Sequence, residues 1–181
     1  MNATRFTVVA GMILAATASR FIPHPHNFSP IGAIALFGGA QLSDKRAAFL
    51  VPLTAMFLAD LVTGFHVLIP FVYGSFALTV CLGFWLRRER NVWRVTAAAL
   101  AGSCLFFMIT NFGVWALLGT YPRTPAGLVA CYIAAIPYFQ NTLLSDLLYS
   151  LLLFGSFALA EHRFAHLRET GLLNGAALES V

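Results

Sequence analysis

Thiols, histidines and carboxylates set among apolar residues are the groups in this sequence that could do chemistry. Cys81 lies inside an uncharged block from Leu68 to Leu86, and a thiolate is a strong donor to a transition metal. Cys104 sits in a second apolar run and competes with it, whereas Cys131 reads as structural. The three are far apart and form no CxxC pair, so reduced thiols are expected rather than a disulfide framework. His24 and His26 flank Pro25, next to Asn27 and Phe28. Such a pair suits a metal or haem, the periphery of a ligand, or simple solvation in a loop. Asp60 and Asp146 fall within apolar runs, where an acid is costly and by default marks function. The structural alternative is that each caps a neighbouring backbone or pairs with Arg20 or Arg123. Asn111, Gln140 and Asn141 either bond a ligand's amides or tie helices together. Tyr73, Phe76, Trp115, Tyr121, Tyr132, Tyr138 and Phe139 gather toward one end of their runs, as an interfacial belt or as rings for stacking.

The elements that must position these groups are membrane spans. With 59% hydrophobic residues, 10% charged residues and a mean hydropathy of +0.79, this is no ordinary soluble domain. At roughly 20 residues per crossing, 181 residues hold six spans and leave no room for a second folded domain. The expected class is an all-α integral membrane protein, a six-helix bundle over residues 1–162 with a cytoplasmic tail over 163–181.

The opening run from Phe6 to Ser19 resembles a signal peptide around Ala16-Thr17-Ala18 but is read as the first span. Its Gly11-xxx-Ala15 spacing lets helices approach closely, within this bundle or against a partner. Residues 20–30 carry three prolines and form a stiff outer loop. Ile31 to Leu42 is short for a crossing, and Ala47 to Gly64 is the third span. The block from Leu68, which stops at Arg87, Arg88, Glu89 and Arg90, is the fourth and organises the chain; the fifth runs from Arg94 to about Leu118. Leu128 to Ile136 is apolar but too short to cross and is stopped by Pro137, so an interfacial or re-entrant cap is expected there. Asn141 to Leu159 is the sixth span.

Nine basic residues (Arg5, Lys45, Arg46, Arg87, Arg88, Arg90, Arg94, Arg163 and Arg168) fall on one side, and only Arg20 and Arg123 on the other. This asymmetry puts both termini in the cytoplasm and turns the histidines and aromatics outward. The positive charge sits at helix ends, which orients the chain in a lipid bilayer and argues against nucleic acid as a partner. No GxxxxGK[ST] loop, HExxH pair, GxSxG elbow or inverted repeat is present, so no nucleotide site is expected and a transport role is favoured over an enzyme.

The size, the six expected helices, the structured outer loop and the small-xxx-small first span resemble the S-components of energy-coupling-factor (ECF) vitamin transporters. Three strings, RFIPHPHNFSPIGAIALFGGA, FVYGSFALTVCLGFW and NTLLSDLLYSLLLFG, look like the BtuM-like cobalamin-binding members of Gram-negative bacteria, and the likeness covers residues 20–161. It implies a protein of the bacterial inner membrane that holds cobalamin, or a related corrinoid, in an outward-opening cavity. By match of FALTVCLG, Cys81 would be the axial cobalt ligand and would labilise a cyanide on the opposite face. At helical rise Cys81 lies roughly 20 Å into its span, within reach only of a large ligand. The corrinoid would be contacted by His24, His26, Asn27, Phe28, Asp60, Tyr73, Phe76, Asn111, Trp115, Tyr138, Asn141 and Asp146, the acids and asparagines bonding its amides and some of the aromatics stacking on the ring. Gly11 and Ala15 stand where such proteins show an alanine pair, so docking on an energising module of ATPases and a coupling subunit, or a solitary mode, are both open. The other readings are an S-component for another vitamin, a haem- or quinone-binding redox protein, and an assembly subunit.

Overall fold

The computed structural model of the protein describes residues 3–168, and among these the architecture is all-helical. Six α-helices follow one another: α1 (Ala3–Ala18), α2 (Ile31–Gln41), α3 (Lys45–Thr63), α4 (Ile69–Trp85), α5 (Val92–Leu117) and α6 (Pro125–Arg163). Side chains that compete for backbone hydrogen bonds start three of them. Asp44 accepts from the Ala47 amide at 2.8 Å, Asn91 from the Arg94 amide at 2.9 Å, and Thr124 from the Gly127 amide at 3.1 Å.

Three helices, α3, α5 and α6, are long and apolar enough to cross a membrane. Only about a third of the residues in their apolar windows are buried. Leu61, Val62 and Leu151 point outward at 55%, 72% and 64% exposure. An apolar exterior of this kind is stable against lipid and costly in water.

The centre of the bundle is α2, not the Leu68–Leu86 block. Nine of its eleven residues are buried, and α1, α3, α4, α5 and α6 all pack on it. At about 16 Å it is too short to span the ~30 Å hydrocarbon core, so both of its ends lie inside the protein. Buried helix ends must find partners for their unpaired amides and carbonyls, and two other helices supply them. At the start, Pro30 provides no side-chain cap. Asp146 of α6 reaches across to accept from the Ala33 amide. At the end, the Arg87 guanidinium donates to the carbonyls of Gly39 (3.0 Å), Leu42 (2.6 Å) and Ser43 (3.2 Å), and it lies 4.3 Å over the Phe84 ring. An acid at the amino end and a base at the carboxyl end also match the helix dipole.

Glycines let the neighbours of α2 come close. A Cβ on Gly83 of α4 would lie 2.5 Å from the Leu36 carbonyl oxygen and 2.8 Å from Gly39 Cα, and one on Gly38 would lie 2.5 Å from the Pro52 ring of α3. Such backbone proximity is how apolar helices gain packing energy in lipid.

The expected cap at Leu128–Ile136 is instead the first third of α6, which runs unbroken for 39 residues through Pro137. One proline removes one backbone hydrogen bond, while ending the helix there would strip several more in apolar surroundings. Contacts with α5 hold this segment: Tyr132 donates to the Met108 carbonyl at 2.7 Å, and Phe107 and Phe139 lie 4.6 Å apart.

Arg5, expected only as a topological marker, is buried at 1% exposure. Its guanidinium donates to Glu161 (2.5 Å), the Leu167 carbonyl (2.5 Å) and Gln41 (2.8 Å). Residues 163–168 therefore pack against the bundle. The remainder of the expected cytoplasmic tail, 169–181, lies outside the described residues.

Candidate functional site

At the end of the bundle where α1 stops and α2 begins, a cavity of about 400 Å³ opens between α2, α4, α5 and α6. The spacing of residues along each helix builds it. Val72, Phe76 and Thr79 project from α4; Gly102, Phe106, Thr110 and Val114 from α5; Ala135, Tyr138, Thr142 and Asp146 from α6. Steps of three and four return to one helical face. Arg20, His24 and Asn27 of the first loop and His66 of the third stand at the mouth.

Aromatic rings form the walls. Phe76 and Phe106 are stacked at 5.2 Å between centroids with 21° between planes, and Phe107 leans on Phe139 at 39°. Deeper in, Asp146 is 4% exposed and accepts from Ser103 Oγ at 2.6 Å as well as from the Ala33 amide. Gly32 leaves room opposite it, because a Cβ there would overlap the Asp146 carboxylate and force it to shift. Among the described residues no cation pairs with Asp146. Ser29 also lines the cavity, and its buried hydroxyl has no hydrogen-bond partner among the described residues.

The structure brings six of the expected ligand contacts to this cavity: His24, Asn27, Phe76, Asn111, Tyr138 and Asp146. Asn27 adopts φ 61°, and Asn111 Nδ2 donates to the Phe107 carbonyl within its own helix at 2.8 Å. His24 also contacts the Ile22 carbonyl through Nδ1 at 2.6 Å. His26 lines a shallower adjoining hollow beside Cys131, with its ring against Tyr138 at 6.5 Å.

The other expected contacts do structural work outside it. Asp60 takes the pairing alternative, accepting from Arg20 at 3.1 Å and from the Tyr73 hydroxyl at 2.8 Å. This ties the first loop, α3 and α4 together behind the mouth. Phe28 packs on Tyr149 at 6.2 Å, Trp115 donates to the Pro122 carbonyl at 2.9 Å, and Asn141 donates to the His26 carbonyl at 2.9 Å. These side chains shape the loops and do not reach the cavity.

Cys81, expected to floor the cavity, is exposed on the outer surface of the bundle. Two residues past Thr79 means a turn of about 200° around α4, which carries the sulfur to the opposite side from the cavity-facing residues. Cys104 is exposed as well, and buried Cys131 touches only the adjoining hollow, its thiol 3.5 Å from the Asn111 carbonyl. Among the described residues, no thiol lines the main cavity and no three His, Cys, Asp or Glu side chains converge to hold a metal. Gly11 and Ala15 are both exposed along α1, so their spacing does not serve packing inside this bundle.

Sequence reasoning missed His66, Thr110, Thr142, Ser103 and Gly32, and it read Arg20 as a pairing partner for an acid without placing it on the cavity. For α5 and α6 the signal was present: Gly102, Phe106, Thr110 and Tyr138, Thr142, Asp146 each recur at four-residue steps. Gly32 carried none, because its need arises only from a carboxylate 114 positions away in the chain.

A profile describing a protein family of unknown function (DUF6580) matches residues 1–168. No curated protein and no solved structure matches the chain.

Proposed function

We infer that this chain, which belongs to the DUF6580 family, is a multi-pass protein of the bacterial inner membrane that captures a small, ring-bearing solute from the outer side. The reading takes all six helices as the membrane bundle, with both termini in the cytoplasm. The nine-to-two distribution of basic residues supports that orientation. The cavity mouth then faces outward, on the side of Arg20 and Arg123.

One observation carries the reading: a cavity with stacked phenylalanines on its walls and polar groups at both depth and mouth. Such a mix of apolar surface and a few fixed polar groups is the usual make-up of a small-molecule site. Its volume of about 400 Å³ lies toward the low end of the ~300–1,000 Å³ usual for such sites. A single ring system of vitamin size fits that volume, whereas a corrinoid, with its macrocycle and nucleotide loop, is larger. Cobalt ligation by Cys81 has no geometric support. Among the functions weighed from the sequence, an S-component-like protein for a smaller vitamin therefore fits best. Energy for release inward would come from a partner, with the exposed Gly11 and Ala15 face of α1 available for close helix contact.

The test is mass spectrometry of small molecules retained by the protein purified in lipid nanodiscs, beside Thr110→Trp, which fills the cavity. A ring-bearing molecule held by the parent and lost from a folded Thr110→Trp variant is the expected result. Equal recovery from both overturns the reading. Protein produced with cobalamin belongs in the same experiment: a coloured preparation whose visible spectrum changes in Cys81→Ala would restore the corrinoid.

A further inference from the structure

We propose that the solute carries a positively charged nitrogen and that Asp146 receives it at the inner end of the cavity; this rests on the capture reading above. Asp146 is 4% exposed and lines the cavity, yet no arginine, lysine or histidine bonds it among the described residues. Of the basic groups that line the cavity, Arg20 is already paired with Asp60, and His24 and His66 stand at the mouth. A carboxylate has about four acceptor positions. Ser103 and the Ala33 amide occupy two of those on Asp146, which leaves capacity for a further donor.

A buried acid without a cation is costly, and the cost is recovered when an opposite charge arrives with good geometry. A neutral donor would recover less, and an anion would add repulsion. The walls point the same way independently. Phe76, Phe106, Phe107, Tyr138 and Phe139 present ring surface to the cavity, and the negative faces of such rings attract ammonium, amidinium and charged heteroaromatic groups. An acid behind aromatic rings, away from water, is the chemistry that recognises an organic cation.

Three molecules of nearly one shape separate charge from fit: benzamidine (cationic), benzamide (neutral) and benzoate (anionic). Their binding to the nanodisc-embedded protein is measured by equilibrium dialysis, with Thr110→Trp as the blocked control. Benzamidine is expected to bind at least about tenfold more tightly than benzamide, with benzoate weakest. Asp146→Asn should bring benzamidine and benzamide to near parity. Should Asp146→Asn fail to fold, the parent's own ranking of the three molecules still decides the charge assignment. Equal or tighter binding of benzamide or benzoate by the parent overturns the charge assignment and leaves the capture reading standing. A tenfold preference that survives in folded Asp146→Asn removes Asp146 as the receptor. No binding sensitive to Thr110→Trp for any of the three overturns both.

Discussion

At single residues, two charges settle how α2 is held. Arg87 satisfies three carbonyls at its carboxyl end, and hydrogen bonds from a charged donor are worth more than neutral ones. Arg87→Ala should cost about 2–3 kcal/mol, read as a lower midpoint of unfolding in mixed micelles. Arg87→Lys should recover only part, since a point ammonium cannot reproduce the guanidinium fork. Gly32→Ala places a methyl on the Asp146 carboxylate. It should cost about 1–3 kcal/mol by overpacking and should weaken solute retention at the same time. Cys81→Ala, by contrast, should leave retention unchanged, because the sulfur faces away from the cavity.

Among the helices, α6 is where expectation and structure part most clearly. Pro137 is read from sequence as a stop, but the helix continues through it because apolar flanks on both sides and packing on α5 outweigh one lost hydrogen bond. Pro137→Ala restores that bond without altering the packed faces. Helix content by circular dichroism should stay constant and the thermal midpoint should hold or rise; a large loss of helix would show that the proline shapes the element. The α2–α4 crossing has the opposite sensitivity. Gly83→Val would drive a branched side chain into the Leu36 carbonyl and Gly39 backbone, parting the helices that frame the cavity and lowering the unfolding midpoint sharply.

Across the whole molecule, the apolar exterior and the charge asymmetry act together. A single cysteine introduced at Asn27, in an otherwise cysteine-free chain, should react with a membrane-impermeant maleimide applied to the outer face. One introduced at Arg88 should react only after the membrane is opened. Reversed labelling would turn the cavity toward the cytoplasm and convert capture from outside into capture from within.

Composition and the length of apolar runs determined an all-helical chain with an apolar exterior and nearly the observed boundaries of α1 to α5, because those features depend on local hydrophobicity and on caps such as Asp44 and Asn91. Asp146 was legible as a special position for the same reason: an acid in an apolar run has few excuses. Which way each side chain turns, and what it meets, was decided only in three dimensions. A rotation of 200° separates Thr79 from Cys81, and no string match carries that angle. That the shortest helix is the centre, that its ends are closed by Asp146 and Arg87, and that Asp60 is spent on Arg20 and Tyr73 all follow from contacts between residues distant in sequence.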